Sequence, residues 1–166
     1  MKKRQEQTDI LILGAGFGGV CTAKYLLRFT RKIPNVKITL IDRNTYHFFT
    51  PLLHEIATAS IHSDHIKRPL RMLFNQENVE FHQGEIKDVD LKNQTVEICT
   101  NCTNCDTPPK YDHHTYINKA DFISDRRQAF RYDYLVLAMG SDPNFYGVTG
   151  ADKYSYTLSS IKTSEE

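Results

Sequence analysis

The chain has 166 residues, 40% of them hydrophobic and 25% charged, with a formal net charge of +1. That length supports one domain with a real core and is short for two. The near-neutral balance, without a basic stripe, gives no electrostatic case for nucleic acid, and no apolar run approaches a membrane span or a signal-peptide core.

Behind a polar start, Ile10-Leu11-Ile12-Leu13 runs directly into Gly14-Ala15-Gly16-Phe17-Gly18-Gly19, a G-x-G-x-x-G pattern. The spacing predicts a strand over Thr8–Leu13, a tight turn, and a helix over Gly18–Thr30, the opening of a dinucleotide-binding βαβ unit. Gly14 makes the sharp turn, Gly16 leaves room for backbone to approach a pyrophosphate, and Gly19 lets the helix lie on the sheet. The free N–H groups of the first helical turn then face the phosphates. Ala23 and Leu26 continue the inner face of that helix.

After a polar turn at Arg31–Asn35, Val36–Ile41 reads as a second strand ending at Asp42-Arg43. Asp42 follows Gly19 by 23 residues, the place of a carboxylate that accepts hydrogen bonds from a ribose. The loop Asn44–Thr50 is dense in aromatics, and Thr50-Pro51-Leu52-Leu53 leads into a short helical piece around His54–Ala59. Ser63 or Asp64 is expected to cap another helix burying Ile66, Leu70 and Leu73, kept short by Pro69. A third strand follows at Val79–His82, closed by Gly84. Ile86–Leu91 and Thr95–Cys99 then form a hairpin around Lys92-Asn93-Gln94. Thr100–Arg131, with its paired prolines and histidines, is expected to be an inserted excursion on the hairpin edge. Tyr132–Ala138 gives a last strong strand, ending in the small-residue turn Met139-Gly140-Ser141. Ser164-Glu165-Glu166 has the character of a helix start.

Of four cysteines, Cys21 is expected to be a small buried thiol of the first helix. Cys99, Cys102 and Cys105 have the spacing of three ferredoxin-type iron–sulfur ligands, but the fourth position is Pro109. Zinc would need His113 or His114 as its fourth ligand. Neither pattern is complete. The preferred expectation is a polar insertion with reduced thiols and no metal, disulfides being disfavoured in a cytosolic chain.

Together the glycine turn with Ala23 and Leu26, Asp42, the Phe49-Thr50-Pro51-Leu52-Leu53-His54-Glu55 run and Tyr132–Ser141 resemble the type II NADH dehydrogenases. These belong to the flavoproteins with two dinucleotide-binding domains. The resemblance implies an α/β fold, a partial Rossmann-like FAD-binding domain with a parallel sheet and a β-hairpin or meander excursion. That domain spans residues 1–166, with the Cys/His-containing insertion at about 100–131. It implies FAD as cofactor, its pyrophosphate held by Gly14, Ala15, Gly16, Phe17, Gly18 and Gly19 and its ribose by Asp42. Arg43 would lie over the adenine edge, and the backbone at Ile86 would meet the adenine ring. Pro51 and Leu52 would approach the flavin ring, and Ala138, Met139, Gly140 and Ser141 would pass close to the cofactor.

The chemistry so implied is hydride transfer from NADH to the flavin and electron transfer on to quinone, with no side-chain nucleophile required. His54 and Glu55 are candidates for proton delivery to quinone, but a solvated polar turn is the preferred reading of that pair. In the family a second, NADH-binding domain and a membrane-attachment region follow. Neither is found in these residues, so the expectation is a truncated chain that keeps half of the FAD contacts. It would be cytoplasmic, at the inner face of the cytoplasmic membrane in the family. The competing expectations are a sulfide:quinone reductase-like flavoprotein fragment and a non-catalytic nucleotide- or metal-binding module. Flavoprotein disulfide reductases need a cysteine pair near the flavin, and none stands between Asp42 and Arg71.

Overall fold

Strand β1 (Thr8–Leu13) ends in an unbroken apolar run, Ile10–Leu13, because both its faces are covered, as in a central strand of a parallel sheet. The computed structural model describes residues 7–74, 78–100, 126–159 and 164. β1 pairs in parallel with β2 (Val36–Asp42) on one side and with β9 (Tyr134–Leu137) on the other. β2 pairs in parallel with β5 (Val79–Gln83), giving the order β5-β2-β1-β9. The chain therefore reverses its direction of travel across the sheet at β1.

The pleat sends alternate residues of β1 and β2 into two separate cores. Ile12, Ile38 and Leu40 face α1 (Phe17–Thr30), whose Val20 and Ala23 close over them together with Leu70 and Phe74. Leu11, Leu13 and Ile41 face the other way, onto Val96, Ile98 and Tyr132. Those residues belong to or adjoin an antiparallel meander of β6 (Glu85–Asp90), β7 (Thr95–Thr100) and β8 (Arg126–Arg131). The result is three layers: helix, parallel sheet, meander.

A smaller unit interrupts the crossover from β2 to β5. β3 (Tyr46–Phe48) pairs antiparallel with β4 (Lys67–Pro69), and between them lie a 3-10 turn at Thr50–Leu52, α2 (Leu53–Ala57) and a second 3-10 turn at Ser63–Ile66. Leu53, Ile56 and Ile66 form its own apolar cluster. α3 (Leu70–Leu73) follows, and α4 (Ala151–Tyr154) comes after β9.

Four expectations are corrected. The single helix expected from Ser63 is instead a 3-10 turn, a strand and a short helix. Pro69 is the cause, since its ring and missing N–H allow it to end β4 and to precede α3, but not to continue a helix. The insertion at Thr100–Arg131 is shorter than expected, because Arg126–Arg131 pairs with β7 from Thr100↔Arg126 to Thr95↔Arg131. A free strand edge and one apolar anchor, Phe130, decide this where the local pattern is weak. Residues 101–125, with Cys102, Cys105, His113 and His114, lie outside the described residues, as do Glu165 and Glu166. Cys21 is exposed rather than buried, one position past the buried pair Gly19 and Val20 and turned off the inner face of α1. Cys99 is disulfide-bonded, not a reduced thiol, and sits 3% exposed at the end of β7.

The β6–β7 turn shows how a short polar stretch is held. Asp90 Oδ1 accepts from the backbone N–H of Lys92 (2.9 Å) and Asn93 (2.8 Å), and its Oδ2 accepts from the Asn93 amide. The Asn93 backbone bond, chiefly, holds the Asp90 carboxyl below its ordinary range. Lys37, bonded at 2.7 Å, does the same for Glu80 across β2 and β5. Lowered carboxyl groups bind protons more tightly in the unfolded chain. Their contribution is therefore full above the ordinary carboxylate pKa and lost as pH falls through the lower folded values. Thermal unfolding followed from pH 7 to pH 2 should show a drop beginning near pH 4, shallower in Asp90→Asn, which keeps an acceptor oxygen but does not titrate. An identical acid limb in that variant would refute the assignment.

Candidate dinucleotide-binding site

The carboxyl ends of the parallel strands meet at one rim, and the reversal of strand order at β1 places a topological switch point there, between β1 and β9. In open α/β sheets this is where ligands bind. Two backbone bonds extend the ladders into the rim: Gly14 N–H to Ile41 O (2.7 Å) and Ala138 N–H to Leu13 O (2.8 Å). A third, from Gly84 N–H to Asp42 O (2.9 Å), draws the β5–β6 turn to the same end.

The glycines of the turn have different jobs. Gly14 has φ +98°, and an added Cβ would overlap the Ala138 carbonyl oxygen and lie 2.9 Å from Met139 Cα. At Gly19 an added Cβ would overlap the Gly14 carbonyl oxygen, so only glycine allows the helix this close to the turn. Gly18 would make an ordinary 3.7 Å contact with the Ala138 side chain. Gly16 differs from all of these. A Cβ there meets nothing within 4 Å, so the turn has open space on that side.

That space lies at the N-terminus of α1. Gly16 is the N-cap, no side chain caps the helix, and its first internal bond runs from Val20 N–H to Gly16 O (3.0 Å). The N–H groups of Phe17, Gly18 and Gly19 thus have no acceptor within the helix, at the end that carries the positive pole of the helix dipole. An uncapped helix start beside open space fits a pyrophosphate.

Asp42 stands beside the turn and is already engaged. Its Oδ2 accepts from Ala15 N–H at 2.6 Å and its Oδ1 from Asn44 N–H at 2.7 Å. A carboxylate offers about four acceptor positions, so roughly two remain for a ribose. On the other side of Ala15, His47 Nδ1 lies 2.9 Å from the Ala15 carbonyl oxygen. Phe17 packs edge-on against His47 (5.0 Å) and Phe49 (5.4 Å), forming an aromatic wall along the turn.

The structure thus brings together Gly14–Gly19, Asp42 and Ala138. Phe49 leads directly into the Thr50–Leu52 turn, where Pro51 is exposed and Leu52 packs on the small cluster of α2. Met139, Gly140 and Ser141 are exposed beyond β9. Ile86 packs beneath the meander, two residues past Gly84, and Arg43 is exposed next to Asp42. His54 Nε2 is 3.6 Å from Glu55 Oε1 on the outside of α2. The sequence alone does not single out His47 and Phe49; the signal it offers is an aromatic cluster just after the acidic end of β2. Among the described residues no group of three or more His, Cys, Asp or Glu is placed to hold a metal. Nor is any described helix long and apolar enough to cross a membrane.

Fold and rim together define an α/β protein with an open parallel sheet and a candidate dinucleotide site at its carboxyl rim, and comparison with known proteins agrees on the fold. The chain belongs to the pyridine nucleotide-disulphide oxidoreductase family, whose pattern matches residues 8–166. It is similar to the type II NADH:quinone oxidoreductase of Staphylococcus haemolyticus, 25% identical over 162 residues, covering 98% of this chain and 33% of that protein. Among solved structures it resembles NDH2 from Plasmodium falciparum in complex with NADH (TM-score 0.68, 24% identity, 96% of this chain and 27% of that one). It also resembles the sulfide:quinone oxidoreductase of Aquifex aeolicus (TM-score 0.69, 25% identity, 95% and 30%). The chain spans about a third of the length of the curated relative. These neighbours share the Rossmann-type α/β fold of the chain.

Proposed function

We propose that this chain is the FAD-binding portion of an NADH:quinone oxidoreductase. The observation that carries it is the uncapped start of α1 beside the open space at Gly16, with the Asp42 carboxylate fixed against Ala15. In this reading the N–H groups that begin α1 hold the pyrophosphate, Asp42 holds a ribose, and the turn Ala138–Ser141 together with Pro51 and Leu52 lines the remaining cofactor. Arg43 and the Ile86 backbone belong to the adenine side. Bound FAD would supply the hydride and electron chemistry; the protein orients it and excludes water. The names of the relatives support NADH and quinone as substrates, and peripheral attachment at the inner face of the cytoplasmic membrane is part of the same proposal. So is the division of the chain, with residues 1–166 as part of one FAD domain and the Cys/His segment as an excursion from it. The sequence holds one glycine fingerprint, so a separate nicotinamide site is not assigned to these residues.

Titration of the purified chain with FAD, followed by flavin fluorescence, tests this. Saturable one-to-one binding is expected, with little NADH-dependent quinone reduction by the chain itself. Failure to bind FAD would overturn the proposal. The sulfide:quinone alternative has a neighbour of equal similarity. It gains if sulfide, not NADH, reduces the flavin of a longer protein containing these residues.

A further inference from the structure

Ala15 is the one residue of the glycine turn whose two backbone polar groups are both held by side chains. Its N–H donates to Asp42 Oδ2 at 2.6 Å, and its carbonyl oxygen lies 2.9 Å from His47 Nδ1. These side chains come from different places, Asp42 from the end of β2 and His47 from the middle of β3. A carbonyl oxygen only accepts, so the hydrogen of this bond sits on His47 Nδ1, which sets the tautomer of the neutral ring.

The geometry points to His47 as a positioning residue for the phosphate-binding turn, acting on cofactor affinity through the Ala15 carbonyl. This deepens the FAD reading and rests on it. Ala15 is 3% exposed, so water is a poor substitute for a missing partner on its carbonyl. The peptide beyond that carbonyl is Gly16, which has no side-chain cap and no neighbour within reach of an added Cβ. Held at both groups of Ala15, the chain enters Gly16 in one orientation, and the N–H groups that follow are aimed before any ligand arrives. The imidazole is itself fixed, by edge-on packing against Phe17 and by the pairing of His47 with Arg68 across β3 and β4. The small β3–β4 unit thereby serves the site, delivering a donor to the glycine turn from outside the βαβ motif.

Two variants separate the hydrogen bond from the ring. His47→Phe keeps an aromatic ring against Phe17 and removes the donor, whereas His47→Asn restores an N–H near the Nδ1 position without the ring. Binding of FAD and of ADP to the whole chain, and backbone amide exchange at Gly16 and Phe17 without ligand, are measured for each. His47→Phe is expected to bind both ligands about tenfold more weakly and to exchange those amides about tenfold faster, the loss of one hydrogen bond. His47→Asn should recover most of both. Unchanged affinity and exchange in His47→Phe, or a larger loss in His47→Asn than in His47→Phe, would overturn the inference. A wild-type chain that binds neither ligand would overturn the FAD reading instead, and the exchange rates would still decide whether His47 orders the turn.

Discussion

Gly19→Ala is expected to destabilise the chain by about 3 kcal/mol, the upper end of ordinary overpacking, and to abolish tight FAD binding. The added methyl group would overlap the Gly14 carbonyl oxygen, and backbone cannot swing aside as a long side chain does. Ile12 Cγ2, at 3.5 Å, would make only an ordinary contact, so the clash is with the Gly14 backbone. Relief therefore requires α1 to move off the sheet, pulling Val20 and Ala23 out of the core they share with Ile12 and Leu40. A fall in the unfolding midpoint of roughly 6–12 °C follows for a chain of this size. Gly16→Ala provides the contrast. Its backbone angles, φ −68° and ψ −167°, suit alanine, and its Cβ meets nothing within 4 Å. That variant should unfold like the wild type while binding FAD about tenfold to hundredfold more weakly, because the methyl group occupies space proposed for phosphate. Calorimetry and FAD titration of the two variants check this, and equal behaviour would refute the separation of roles.

Asp42→Ala should weaken FAD binding by about tenfold to hundredfold and lower stability by about 1–3 kcal/mol. The stability loss comes from Ala15, whose N–H is left buried without an acceptor. Asn44 is half-buried, and water replaces more of its lost bond. Asp42→Asn is the sharper variant. Two backbone donors approach the two carboxylate oxygens, so an amide satisfies one and opposes the other with its own N–H. Its stability should fall between wild type and Asp42→Ala, while a ribose loses a charged acceptor in both. Thermal unfolding and FAD titration of the pair measure this. Wild-type affinity in Asp42→Asn would show that the charge is not used for the ligand.

The parallel sheet and the helix on it are legible in the sequence, because β1 and β9 carry apolar runs, β2 alternates in β-rich residues, and glycines follow β1 and β9. The spacing predicts β1 at Thr8–Leu13, and it is found there. The β6–β7 hairpin is equally plain from its polar turn. What the local pattern does not show depends on partners distant in sequence. Tyr46–Phe48 shows no strand pattern of its own and becomes β3 only because Lys67–Pro69 lies beside it. Arg126–Arg131 has three arginines and becomes a strand because β7 offers an unpaired edge. The candidate site divides in the same way. The glycine fingerprint and Asp42 follow from spacing, whereas the His47 bond to Ala15 joins residues 32 apart and is announced by no motif.

The central place of β1 also bears on the order in which the site can be made. Ile10 pairs with Ile38, 28 residues on, and with Tyr134, 124 residues on. Closing the shorter loop costs less entropy, so the β1–α1–β2 unit has the advantage in folding and β9 docks against an edge already built. During synthesis the N-terminal unit also leaves the ribosome first. Yet Gly14 takes its final packing against Ala138, immediately after β9. The turn at the start of the chain is thus finished only by the last long closure. A folding intermediate with native helix and hydrophobic core would still lack a complete site.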